Sequence, residues 1–252
     1  MVYFVGAGSG AVDLITLRGV KCLKEADVII YAGSLVNAEL LGYAKRGCKV
    51  YDSAYMTLEE VLDVVYEACS ENKTVVRLHS GDPCLYGAVR EQMDALDLEG
   101  IPYENVPGVS SFCSAASVLH AEYTLPGVSQ SVLITRMSGR TPVPECESIR
   151  SLASHRATMV VFLSAGMTDV LQEELIAGGY PGDTPAAIVY KATWPDEKVV
   201  RCDLSTLHRS AQENGIESTA LILVGGFLDD KYDRSKLYDP KFTTGFRKGN
   251  EE

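Results

Sequence analysis

The 252-residue chain is short of positive charge, with 23 Lys and Arg against 34 Asp and Glu and a net charge of −11. A nucleic-acid backbone or an anionic membrane surface is thereby disfavoured as the main partner, because both need a basic face. Histidine is scarce, at four residues, and the seven cysteines contain no CxxC pair. An odd cysteine count with this spacing argues against a disulfide framework and against a structural zinc site, so no metal is expected. No apolar run approaches the length of a membrane span. The N-terminus opens directly into Val2-Tyr3-Phe4-Val5 without a basic leader, and a cytoplasmic protein is expected. There is no GxSxG and no Ser-His-Asp arrangement, which leaves hydrolase chemistry without support.

What is present is ordinary globular material, 46% hydrophobic and 23% charged, long enough for two domains. Short β-branched runs at 2–5, 27–31, 48–52, 74–79 and 101–106 alternate with helix-length segments. The clearest helix lies between Thr57 and Glu71, where Leu58, Val61, Leu62, Val65 and Ala68 form one apolar stripe. Thr57 and Glu60 have capping-box spacing at its start. This alternation predicts a parallel sheet wrapped by helices. Segment 121–130 reads as a linker. A second series follows at 131–136, 158–163, 186–191, 197–202 and 219–225, and the close pair around 192–196 reads as a hairpin, so a mixed sheet is expected. The expected division is residues 1–120 and 121–252, the latter ending in a polar tail from Asp229.

Three turns stand at the carboxyl ends of predicted strands, where open α/β sheets hold ligands. Gly6-Ala7-Gly8-Ser9-Gly10-Ala11 is a tight strand-to-helix turn or the border of a ligand. It is a poor dinucleotide fingerprint, because no acid ends the second strand at Tyr31-Ala32-Gly33. No Lys-Ser/Thr pair follows, which excludes an NTPase phosphate loop. In Ser80-Gly81-Asp82-Pro83 the carboxylate caps a helix running to about Leu98 or serves a ligand loop. Val106-Pro107-Gly108-Val109-Ser110-Ser111 places two hydroxyls at a helix start, whose free N–H groups attract negative charge. Arg136 and Arg140, in a Gly/Pro-rich stretch, are solvated surface or an anion clamp.

The order and spacing of VGAG-SG (5–10), GDP-LYG (81–87) and VPGVSS (106–111) resemble the tetrapyrrole (precorrin) methyltransferase family. The stretches YAGSL (31–35), HSGD (79–82), LPGVSQ (125–130), TRMSGRTPVPE (135–145) and LYDPKF (237–242) are most similar to members that methylate carbon 11 of precorrin-4 or cobalt-precorrin-4 in cobalamin synthesis. Two departures are visible. The family's usual Pro-Gly-Asp is replaced by Ser9-Gly10-Ala11, and Ala32 stands where members acting on uroporphyrinogen carry an acid.

The resemblance implies the tetrapyrrole methylase fold, two α/β domains with S-adenosylmethionine in the cleft between them, and a homodimer. It implies donor contacts at Ser9, Gly81, Asp82, Leu85, Ser110, Ser111, Leu163, Ala192, Thr219 and Ala220, many through backbone. Asp82 is the expected catalytic residue. Arg136, Arg140 and Lys191 are the expected donors to the substrate's carboxylates. The alternative reading is another methyltransferase of the same fold, acting at a different precorrin position or on protein as a diphthine synthase.

Overall fold

The computed structural model describes residues 1–250, the Ser34 side chain excepted. The chain divides into two compact units, one of Met1–Ser114 with Lys191–Glu197, the other of Ala115–Tyr190 with residue 198 onward. The division differs from the expected one in two places. It falls inside a helix rather than at residue 120, and the hairpin tip 191–197 groups with the first unit, because Thr193 and Trp194 bond to the loop after the first strand.

The first unit is a parallel sheet of β1 (Val2–Gly6), β2 (Val28–Tyr31), β3 (Lys49–Asp52), β4 (Val75–His79) and β5 (Tyr103–Val106), in spatial order β3-β2-β4-β1-β5. The central strands β2, β4 and β1 are short and mostly apolar because both faces are covered, whereas the edge strands β3 and β5 are more polar and more exposed. Val5, Ile29, Val76 and Leu78 face Cys22 and Leu23 of α1 (Leu17–Glu25). Phe4, Val28, Ile30 and Val75 face α2 (Leu58–Ser70) and α3 (Arg90–Leu98) through Val61, Val65, Ala68 and Leu96. The capping box of α2 is formed, with Thr57 Oγ1 accepting from Glu60 N and Glu60 Oε2 accepting from Thr57 N. The chain moves outward from β1 to β2 and β3, then returns across to β4 and β5. The reversal falls between β4 and β1, the place where doubly wound sheets open a crevice.

Helix α4 (Ser111–Leu119) carries the chain into the second unit. Its sheet is mixed, in order β6 (Val132–Arg136), β7 (Thr158–Phe162), β10 (Ala220–Val224), β8 (Pro185–Tyr190) and β9 (Lys198–Asp203). β6 and β7 are parallel and the remaining pairs antiparallel. Helices α5 (Ile149–Ala153), α6 (Thr168–Gly178) and α7 (Leu207–Glu213) pack on one face through Ile149, Leu171, Leu175, Leu207 and Ala211. The segment read as a linker is pinned to β7, since Thr158 Oγ1 donates to Tyr123 O and Thr158 N donates to Ser129 Oγ. The polar tail is tied down too. Asp233 N donates to Pro126 O, and the Arg247 guanidinium donates to the carbonyls of Leu237, Asp239 and Phe242.

Candidate active site

The loops after β1, β4 and β5 interlock. Gly8 N donates to Gly81 O at 3.2 Å and Gly81 N to Gly8 O at 2.8 Å. A Cβ on Gly6 would lie 2.6 Å from Gly108 Cα and 2.7 Å from Gly81 O, so only glycine permits this approach. Asp82 completes the lock. Its Oδ1 accepts from Cys84 N at 2.8 Å and its Oδ2 from Gly108 N at 2.9 Å. Partial burial alone would raise its pKa. Hydrogen bonds from the Cys84 thiol, Cys84 N–H and Gly108 N–H outweigh burial and hold the carboxyl below its usual value. Asp82 is therefore ionised at neutral pH. The helix it was expected to cap starts only at Arg90, eight residues on, so capping is not its role.

Ser9, Gly81, Asp82, Leu85, Ser110 and Ser111 thus stand on the carboxyl edge of three adjacent strands, β4, β1 and β5. Ser9 Oγ lies 2.6 Å from Ser114 Oγ and 3.3 Å from Thr193 Oγ1. Ser110 is buried and Ser111 begins α4, whose first amides point from its positive end. In the segment that follows Asp82, Tyr86 and Ala88 hold left-handed backbone at φ 56° and 48°. Non-glycine residues adopt this conformation uncommonly, and strained backbone of this kind clusters at functional sites.

In the second unit, strand register gathers four positions at one end of the mixed sheet. Arg136 pairs with Phe162, and Ala220 pairs with Tyr190. The β7–β10 register, Ile222 against Val161, brings Ala220 level with Leu163. Leu163, Thr219 and Lys191, the residues flanking these strand ends, all have positive φ, at 52°, 53° and 47°. Leu163 is also 65% exposed, an apolar side chain held in strained backbone and left open. Ala192 is buried.

The expected cations sit differently from one another. Arg136 donates through Nη1 to the carbonyls of Met137 and Thr141 and through Nη2 to Pro142 O, so its guanidinium shapes its own loop. Arg140 is exposed at that loop's turn. Lys191 Nζ pairs with Asp196 Oδ2 at 2.6 Å and lies 5.6 Å from the Trp194 ring centre.

Sequence reasoning missed several residues that build the site. Trp194 Nε1 donates to Ser9 O at 3.0 Å, and Asn37 Nδ2 to Gly10 O at 2.9 Å. The chain's one tryptophan, in a hairpin tip, was the available signal for the first. Arg77, 5% exposed in the middle of β4, donates to Gln92 Oε1 at 2.9 Å and Ile30 O at 2.8 Å. Gln92 Nε2 in turn holds Ala88 O at 2.9 Å. An arginine inside the apolar run TVVRLH was its signal.

Fold and site define a two-unit α/β protein with interlocked, backbone-rich loops at the switch point of its parallel sheet. The family model of the Tetrapyrrole (Corrin/Porphyrin) Methylases matches residues 1–208, and the chain belongs to that family of methyltransferases. It is 52% identical to the cobalt-precorrin-4 C(11)-methyltransferase of Methanocaldococcus jannaschii over 100% of this chain and 97% of that protein. A solved cobalt-precorrin-4 methyltransferase superposes with a TM-score of 0.89 at 47% identity, covering 90% of this chain and 95% of the other. The uroporphyrin-III C-methyltransferase of Thermus thermophilus, solved with S-adenosylhomocysteine, matches with a TM-score of 0.75 at 30% identity over 90% and 98% of the two chains. Among the described residues there is no metal-ligating cluster and no helix long and apolar enough to cross a membrane.

Proposed function

We propose that the protein transfers the methyl group of S-adenosylmethionine to carbon 11 of precorrin-4 or cobalt-precorrin-4, as a cytoplasmic homodimer in cobalamin synthesis. The observation that carries this reading is the interlock of the loops after β1, β4 and β5, in a chain matched over its full length by a relative of that activity. The residues fit the donor. A nucleoside with a zwitterionic tail suits an edge of backbone N–H and C=O groups, small hydroxyls and the apolar Leu85. We assign its contacts to Ser9, Gly81, Asp82, Leu85, Ser110, Ser111, Leu163, Ala192, Thr219 and Ala220.

When bound, the donor supplies a methyl group on a cationic sulfonium, displaced in line by a nucleophilic carbon. The chain's part is alignment, which is worth roughly 7–11 kcal/mol in favourable cases. Asp82 acts as a positioning group in this reading, because both its oxygens hold backbone amides of two loops. Arg140 and Lys191 meet substrate carboxylates, with Arg136 holding the loop that presents Arg140.

The deciding experiment incubates purified protein with S-adenosylmethionine and precorrin-4 or its cobalt form, then determines product mass and methyl position. A methyl at another carbon, or none, rejects the assignment.

A further inference from the structure

We propose that the tip of the β8–β9 hairpin is a clasp that sets the methyl-donor loop, with Thr193 and Trp194 as its positioning residues. This rests on the reading above that Ser9 borders the donor. The tip is first braced within itself. Lys191 pairs with Asp196, Thr193 N donates to Glu197 Oε2 at 2.6 Å, and Trp194 N donates to Lys191 O at 3.0 Å. Lys191 and Thr193 hold left-handed backbone at φ 47° and 71°. Such conformations persist only where surrounding bonds over-determine them.

The braced tip then engages three consecutive residues of the glycine loop. Trp194 Nε1 donates to Ser9 O at 3.0 Å. Thr193 Oγ1 accepts from Ala11 N at 3.1 Å and lies 3.3 Å from Ser9 Oγ. Between them Gly10, at φ 156°, lies against the indole, and a Cβ there would collide with Cδ1 and Nε1 of Trp194. From the first unit Asn37 holds Gly10 O. A glycine loop left alone samples many conformations and would have to be ordered at the moment of binding. The clasp orders it beforehand. Ala192, beside Thr193 in the chain, is in the proposed donor set, so one device places two donor contacts.

These bonds reach one loop and no strand of either sheet, so their loss should change donor affinity before it changes the fold. The test compares wild type with Trp194→Ala, Trp194→Phe, Thr193→Val and Thr193→Ser. Calorimetric titration with S-adenosylhomocysteine is paired with thermal melting and with hydrogen exchange at the Ala11 amide. Trp194→Ala and Thr193→Val are expected to raise the Kd by about tenfold. Trp194→Phe, which keeps a ring over Gly10 without the N–H, should fall between, and Thr193→Ser should restore near wild-type binding. Ala11 exchange should quicken in Thr193→Val with or without ligand. Because Trp194 is the only tryptophan, its emission should shift as wild type binds. Wild-type binding with equal Kd values in all variants overturns the clasp alone. Affinity lost only in step with melting temperature also overturns it, since that is a folding role. No binding of the nucleoside by wild type overturns the functional reading and the clasp together.

Discussion

His79 ends β4 and Asp82 follows three residues on, and both resist protonation, one as a carboxylate anion and the other as a neutral ring. Asp82, held low by its N–H donors, is expected to serve geometry rather than proton transfer. Asp82→Asn retains one acceptor oxygen and should keep measurable methyl transfer, whereas Asp82→Ala frees Gly108 N and Cys84 N and should remove most of it. Initial rates of both variants under saturating substrate, with circular dichroism to confirm folding, decide this. Equal rates for Asn, Ala and wild type would leave Asp82 with no part in the reaction.

His79 is 4% exposed, and its Nε2 finds no partner among the described residues. Burial, helped by the charge on Arg77, pushes its pKa down to about 3. An unfolded histidine protonates near pH 6.5. Between that value and about 3 the unfolded chain takes up a proton that the folded one refuses, so stability falls as pH falls across this window. The slope from one such group is about 1.4 kcal/mol per pH unit. Urea melts between pH 6.5 and 4.5 should show it, and His79→Leu should flatten it.

At the scale of elements, Arg77 ties β4 to β2 and to α3, and through Gln92 to the strained Ala88. Burial brings its pKa down to about 10, which leaves it charged at neutral pH. Arg77→Met has similar bulk but leaves the buried Gln92 amide oxygen without its donor. An orphaned buried group costs about 1–3 kcal/mol, so denaturant midpoints should fall by a corresponding amount.

The loop after β6 gives a second test between elements. Arg140→Ala should weaken tetrapyrrole binding by about the 1.5–3 kcal/mol of a charged hydrogen bond, with donor affinity unchanged. Arg136→Ala should also lower tetrapyrrole affinity, since the loop carbonyls of Met137, Thr141 and Pro142 lose their common donor. Rescue by Arg136→Lys should be poor, because one ammonium cannot reproduce the guanidinium fork. Paired titrations of both ligands against each variant read this out.

For the whole molecule, a ligand that binds only the folded state raises its stability by about 2.7 kcal/mol at a hundredfold excess over Kd. S-adenosylhomocysteine is expected to raise the melting temperature accordingly, and NAD to leave it unchanged, since Ala32 supplies no carboxylate for a nicotinamide ribose. Light scattering should return twice the 27.3 kDa chain mass.

The sequence alone determined the ten strands and their grouping, because each is a short run rich in β-branched or aromatic residues bounded by turn residues. It also determined the capping box at Thr57, a purely local arrangement. The loops carrying Ser9, Asp82 and Ser110 were legible as motifs, since turns of that geometry demand glycine and proline. What lay beyond it were contacts that exist only once the chain has folded. Gly6 reads as one more turn glycine until Gly108 and Gly81 are brought against it. Arg136 reads as a free cation until its loop folds back onto the guanidinium. Trp194 reads as a hairpin residue until 185 positions of chain close to set its N–H on Ser9. Local propensity depends on neighbours in sequence, and so it is written there. The Gly6 pairing needs β4, β1 and β5 as sheet neighbours, the Arg136 pairing needs its loop closed, and the Trp194 pairing needs the hairpin tip on the glycine loop, and only the folded chain decides these.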